Sequence, residues 1–238
     1  MMTRLPPDVP TGQTSSVLTA IGRRTLWIGG GQWAGKSEVA RILASRYPVI
    51  TYAYDYHDAR SHHARAYAHP ARFPVCHRWL EANSRDPDES WVKPSPAEMA
   101  AQALAIHAER FAMVLDDIAA MPPHGTIVAE GWGLRPEFVA PLVEDTAQAV
   151  FLVPTAAFRE HQLAVLERAT FPASFAVTDL ARAQSNRLAR DAILAEAAAR
   201  EARARGLVVI DVDGAESLEE VARRIEQQFR PWLPDWLY

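Results

Sequence analysis

The sequence predicts an α/β protein with one parallel sheet of five strands and helices on both faces of that sheet. Three observations predict this class: the candidate strands are short and apolar, helical segments separate them, and the 238 residues are 49% hydrophobic, enough for one large core. Right-handed crossovers around a central first strand predict the strand order 2-3-1-4-5. The predicted strands are residues 24–29, 49–54, 126–129, 149–153 and 207–212.

The helices are predicted from their apolar spacing and from the residues at their ends. Ser95, Pro96 and Glu98 form a capping box with a proline in the first turn, so a long helix is expected from 96 to 121. Gly206 ends a second long helix. Residues 55–94 show no clear period. The other predicted helices are residues 35–46, 155–168, 178–205 and 217–229.

A single domain is expected from residue 23 to residue 230. Prolines, a glycine and a Thr/Ser cluster in residues 1–22 predict a flexible N-terminal tail, and the prolines in 231–238 predict a short C-terminal tail.

Charge and cysteine content disfavour several classes of protein. The net charge of −4 disfavours a nucleic-acid partner. No apolar run approaches the about 18 residues of a transmembrane helix, so no membrane partner is expected. Cys76, the single cysteine, cannot form an internal disulfide, which favours a reducing, cytoplasmic location. Both a monomer and a homodimer fit this composition.

The strongest motif is a glycine-rich loop that matches G-x-x-x-x-G-K-[ST], after a predicted strand and at the start of a helix. Backbone N–H groups of such a loop point at phosphate oxygens, and the helix adds its positive end. Lys36 would contact the β- and γ-phosphates, and Ser37 would offer its hydroxyl to Mg²⁺. The motif therefore predicts ATP and Mg²⁺ as cofactors. The predicted nucleotide-binding residues are Gly30, Gly31, Gln32, Trp33, Ala34, Gly35, Lys36, Ser37 and Glu38.

Together with this loop, the acid after the second strand, the long segment before the third strand and the arginine-bearing helix before the last strand resemble the nucleoside, nucleotide and shikimate kinase group of P-loop kinases. Chloramphenicol phosphotransferase and gluconate kinase belong to that group. The resemblance covers residues 24–230. It implies a three-layer P-loop NTPase fold, with a helical acceptor-binding insertion at 55–123 and a helical lid at 168–190.

Asp55 is the candidate acceptor carboxylate. In the shikimate-type kinases a carboxylate at this strand end lies beside the acceptor hydroxyl, so the resemblance implies that Asp55 orients that hydroxyl and takes its proton. A helix cap or a surface aspartate is the alternative. Asp58 and Arg60 are further candidates for acceptor binding. Four arginines in this segment favour an anionic acceptor: Arg60, Arg65, Arg72 and Arg78.

Glu130 ends the third predicted strand, beside the phosphate loop. An acid at this position is typical of a Walker B residue, so Glu130 and Ser37 are the candidate metal ligands. Acceptor binding and a buried capping carboxylate are the alternatives for Glu130. Trp132 lies between two glycines, which predicts close approach of the backbone to the substrate.

Arg187 and Arg190 lie one turn apart on one face of the helix before the last strand. In the resembled kinases, arginines of the lid reach the transferred phosphoryl group, and this implies a catalytic role for both. A solvated basic face is the alternative.

The expected activity is transfer of the γ-phosphoryl group of ATP, with Mg²⁺, to a hydroxyl or a phosphate of a small molecule. A P-loop NTPase that is not a kinase and a nucleotide-binding regulatory protein remain the alternatives. A kinase forms ADP only when its acceptor is added, whereas an NTPase needs none.

Overall fold

The computed structural model describes residues 9–166 and 171–235. It confirms the α/β class: five parallel strands form one sheet in the order β2-β3-β1-β4-β5. The strand bounds are Thr25–Gly30 (β1), Ile50–Ala53 (β2), Ile127–Glu130 (β3), Ala149–Pro154 (β4) and Val208–Val212 (β5).

The register brings the candidate site together at one edge of the sheet. β1 lies between β3 and β4, and Ile28 pairs with Glu130 in the neighbouring strand. Because all strands are parallel, their carboxyl ends meet at the same edge, where ligands of open α/β sheets bind. The loop after β1, the end of β3 and the residues after β2 therefore face one another.

Helices cover both faces of the sheet and form the two outer layers. α2 and α11 pack on one face over an apolar core, and α1, α7 and α10 lie on the other. The helix bounds are Ser15–Arg24 (α1), Lys36–Arg46 (α2), Tyr54–His57 (α3), His63–Ala68 (α4), Pro74–Arg85 (α5), Asp88–Trp91 (α6), Pro96–Ala120 (α7), Pro136–Val139 (α8), Ala156–Val165 (α9), Leu180–Ala204 (α10) and Leu218–Phe229 (α11).

The segment between β2 and α7, for which the sequence shows no period, is largely helical. It contains α3 to α6 and a π-helical turn at Asp58–His62 that continues α3 into α4. The capping box of α7 forms as predicted. No helix in the described ranges is both long and apolar enough to cross a lipid bilayer.

The prediction of a flexible tail over residues 1–22 is wrong for its second half. Thr14 caps α1, and Leu18 and Ile21 are buried on one face of that helix. Gly22 lets the helix approach closely, since a Cβ there would lie 2.0 Å from the carbonyl oxygen of Leu142. The prolines and glycine that suggested a tail all precede the helix.

Part of the predicted C-terminal tail also packs against the domain. Trp232 and Leu233 contact the core between the sheet and α11, and the Thr126 hydroxyl donates to the Trp232 carbonyl oxygen at 3.0 Å. Residues 1–8, 167–170 and 236–238, which include parts of both predicted tails and of the lid, lie outside the described residues.

Candidate active site

A cavity of about 180 Å³ opens above the loop between β1 and α2. Residues 32–38 line it, and Asp55 is the one lining residue from another segment. Trp33 and Gly35 adopt left-handed backbone conformations, with φ of 66° and 81°, which wrap the loop around this space. The helix α2 then begins at Lys36, so its N-terminal end faces the cavity.

Gly30 and Gly31, which are predicted to bind nucleotide, do not line the cavity itself. The N–H of Gly31 donates to the Leu152 carbonyl oxygen at 2.9 Å, so it points at β4. A Cβ on Gly30 would lie 2.1 Å from that same oxygen. These glycines instead allow β1 and β4 to approach at the base of the loop.

Lys36 is 5% exposed, and its Nζ donates to the Gly31 carbonyl oxygen at 2.6 Å. Burial lowers the pKa of this amine, while the negative charges of Asp55, Glu130 and Asp191 act in the opposite direction. The lysine is therefore a buried cation surrounded by carboxylates from three separate segments.

Ser37 and Glu130, the predicted metal ligands, are in direct contact. The Ser37 hydroxyl donates to Oε2 of Glu130 at 3.0 Å. Burial, followed by the charge of Asp55, raises the pKa of Glu130 to about 7. No cluster of three or more acidic, histidine or cysteine side chains arranged to hold a metal occurs in residues 9–166 and 171–235.

Asp55 lies in the first turn of α3, at the carboxyl end of β2. Asp55 is an exposed residue at the rim of the cavity that it lines. Desolvation of its carboxyl by the surrounding protein raises the pKa of Asp55, whereas Lys36 and a hydrogen bond from the Trp132 backbone N–H lower it. The glycines around Trp132 thus bring backbone to the Asp55 carboxylate.

Asp58 lies one turn after Asp55 and forms an ion pair with Arg110 of α7. Burial raises the pKa of Asp58 to about 6, with Arg110 opposing the shift. The Arg110 side chain is only 5% exposed. Sequence analysis missed this residue, although a cation within the apolar stretch of α7 is a signal that could have identified it.

The lid arginines contact opposite parts of the site. The Arg187 guanidinium lies over Trp33 of the glycine-rich loop, 5.8 Å from the ring centroid. Arg190 lies between the rings of Trp91 and Trp132, at 5.2 and 5.3 Å from their centroids. The Nε and Nη2 atoms of Arg190 donate to Oδ1 of Asp191 at 2.9 and 2.7 Å.

Asp191 is a second site residue that sequence analysis missed. It is 4% exposed, and its charge acts on Lys36 and on Arg187. No spacing rule pointed to it, because neighbouring residues on a helix do not normally face each other.

The lid contacts the acceptor segment directly. Phe171 and Phe175 pack on Trp91 with ring centroids 5.2 and 5.6 Å apart. The Asp88 carboxylate accepts a hydrogen bond from the Thr178 backbone N–H at 2.9 Å. The Asn186 amide donates to three carbonyl oxygens of that segment: those of Trp91, Val92 and Pro94.

Arg60 is not brought into the cavity. It is exposed, its guanidinium lies 4.1 Å from the centroid of the Tyr56 ring, and Nη1 donates to the Tyr56 carbonyl oxygen. The geometry therefore gives no support to its predicted role in acceptor binding.

The chain matches no family model and no curated protein. The geometry of the site therefore carries the functional argument.

Proposed function

We propose that this protein is a kinase that uses ATP and Mg²⁺ to phosphorylate a small molecule. The observation that carries the proposal is that the phosphate loop and Asp55 line the same cavity. A phosphoryl donor and a carboxylate for its acceptor are thus next to each other, as in-line transfer requires.

The nucleotide would bind with its phosphates in the loop. The N-terminal end of α2 offers backbone N–H groups and a partial positive charge there. Lys36 already lies beside this loop, and a phosphate oxygen would replace the Gly31 carbonyl oxygen as its partner. Because the amine is buried, its charge is weakly screened and its attraction for phosphate is strong.

The residues present fit a magnesium ion. A hydroxyl and a carboxylate are hard oxygen donors, and Mg²⁺ in nucleotide sites is held by one or two such groups with water and phosphate oxygens. Ser37 and Glu130 supply these two donors, and their side chains are in direct contact. The ion would neutralise charge on the β- and γ-phosphates when bound.

Asp55 would orient the acceptor hydroxyl and accept its proton. The Trp132 backbone N–H holds the carboxylate in place. Its raised pKa makes it a stronger base than an aspartate with the usual pKa, which favours proton transfer to it. Arg187, beside Trp33, and Arg190 would neutralise charge on the transferred group.

The test is ADP formation by the purified protein with ATP and Mg²⁺, first alone and then with a panel of hydroxyl compounds. The proposal expects ADP release that depends on an added acceptor. Equal release without any acceptor would favour an NTPase, and binding of nucleotide without turnover would favour a regulatory protein. A cytoplasmic location, as a monomer or homodimer, is part of the proposal.

A further inference from the structure

The region around Asp58 and Trp132, here called the acceptor side of the site, contains several buried arginines. Each of them has a carboxylate of its own. Arg110 pairs with Asp58, and Arg190 pairs with Asp191. The third buried guanidinium near this side belongs to Arg135, which is 2% exposed. Its Nη1 donates to the Leu194 carbonyl oxygen at 2.9 Å, and its Nε lies 3.5 Å from Glu137.

Four arginines of the acceptor segment, which suggested an anionic acceptor from sequence, are directed elsewhere. Arg65 pairs with Asp117, and Arg72 pairs with Asp116. Arg60 is exposed and stacked on a tyrosine. Arg78 is exposed on α5, on the opposite side of that helix from its buried residues Cys76 and Leu80.

The remaining polar groups on this side are uncharged. His107 is 1% exposed, lies edge-on to Trp132, and neither ring nitrogen has a hydrogen-bond partner within residues 9–166 and 171–235. Burial lowers the pKa of His107 well below its usual value, so the ring is neutral at pH 7. The Tyr54 hydroxyl is also buried and lies beside Arg110, and burial raises its pKa well above the usual value, so it is neutral too.

Asp55 differs from these paired groups. Its nearest cation is Lys36, which would be engaged by the nucleotide phosphates, as would Arg187 beside the loop. Glu130 would be engaged by the magnesium ion, so Asp55 is the carboxylate lining the cavity that is left without a cation of its own. Once a nucleotide is bound, the unbalanced charge that faces the acceptor is therefore negative.

We infer that the acceptor is a hydroxyl compound without negative charge, neutral or cationic, rather than a phosphorylated or carboxylated one. This inference rests on the proposed function and narrows its acceptor class. Asp58 and Arg110 then compensate each other, and the buried ring of His107 adds no charge. An acceptor phosphate would bring like charges together at Asp55, which strongly disfavours a partner.

The first experiment uses inorganic phosphate as the probe. The protein is saturated with a non-hydrolysable ATP analogue and Mg²⁺, and phosphate is then titrated calorimetrically. We expect no saturable binding to the wild-type complex at millimolar phosphate. The D58N variant leaves Arg110 without its carboxylate, so we expect it to gain phosphate binding. Should D58N fail to fold, D191N exposes Arg190 in the same way.

The second experiment compares matched acceptors in the ADP-release assay, each hydroxyl compound beside its phosphorylated or carboxylated counterpart. We expect kcat/KM to be at least about 100-fold higher for the uncharged or cationic member of a productive pair. Saturable binding of phosphate to the wild-type complex, or preferred turnover of the anionic member, would overturn the inference and leave the kinase proposal intact. Failure of the analogue itself to bind would instead refute the proposed function before phosphate is added.

Discussion

The sharpest prediction concerns the two lysines of the chain, Lys36 and Lys93. Replacing Lys36 with alanine removes a cation that is 5% exposed and lies at the phosphate loop. Truncating one partner of a buried charge pair costs about 2–5 kcal/mol in binding. At about 1.4 kcal/mol for each factor of ten, the dissociation constant of a magnesium–nucleotide analogue should rise roughly 30- to 4,000-fold.

Isothermal titration calorimetry with a non-hydrolysable ATP analogue measures this change without any knowledge of the acceptor. Lys93→Ala is the matched control, because its side chain is 53% exposed and pairs with Asp86 and Glu89 at the surface. Exposed ion pairs contribute little, so the control should bind as the wild type does. If folded Lys36→Ala retains wild-type affinity, the assignment of the loop to phosphate is refuted.

Three further outcomes are expected. Asp55→Asn should preserve the affinity for the ATP analogue and lower kcat roughly 10²- to 10⁴-fold in the ADP-release assay. The control is D211N, which removes an exposed carboxylate paired with Arg203 and should leave kcat unchanged. Because the pKa of Glu130 is raised to about 7, magnesium–nucleotide affinity should fall as pH decreases below about 7, and a Glu130→Gln variant titrated across this range should lose that dependence. Gly133→Ala should destabilise the protein by about 1–3 kcal/mol in urea denaturation, since a Cβ there would lie 2.1 Å from the Tyr54 ring; unchanged stability would contradict this packing.

The raised pKa of Glu130 also predicts a change in stability with pH. A carboxyl whose pKa is higher in the folded state binds more protons there, so its contribution to stability falls as pH rises from about 4.5 to about 7. Glu130→Gln should therefore gain stability relative to the wild type at alkaline pH. Thermal denaturation at acidic and alkaline pH measures this difference, and an equal difference at both would show that the carboxyl titrates normally.

The fold class and the strand order could both be predicted from the amino-acid sequence, and so could a glycine-rich loop of the spacing that predicts phosphate binding. These depend on local signals: apolar runs of strand length, helix caps such as Ser95, and a glycine-rich loop placed between a strand and a helix. The topology then follows from the handedness of crossovers, which leaves few arrangements for five parallel strands. The same reasoning brought Asp55 to the edge of the sheet that holds the loop.

Which charges face the site could be learned only from the folded arrangement of the helices. The partners of Arg65, Arg72 and Arg110 lie 44–52 residues away in the sequence, beyond any local pattern. They are Asp117 and Asp116 of α7 for the first two, and Asp58 for the third. Long side chains of one helix can reach either of two faces, and the packing of neighbouring helices selects between them. The folded arrangement therefore pairs Arg65 and Arg72 with carboxylates, leaves Arg60 and Arg78 on the surface, and places Asp55 beside the glycine-rich loop.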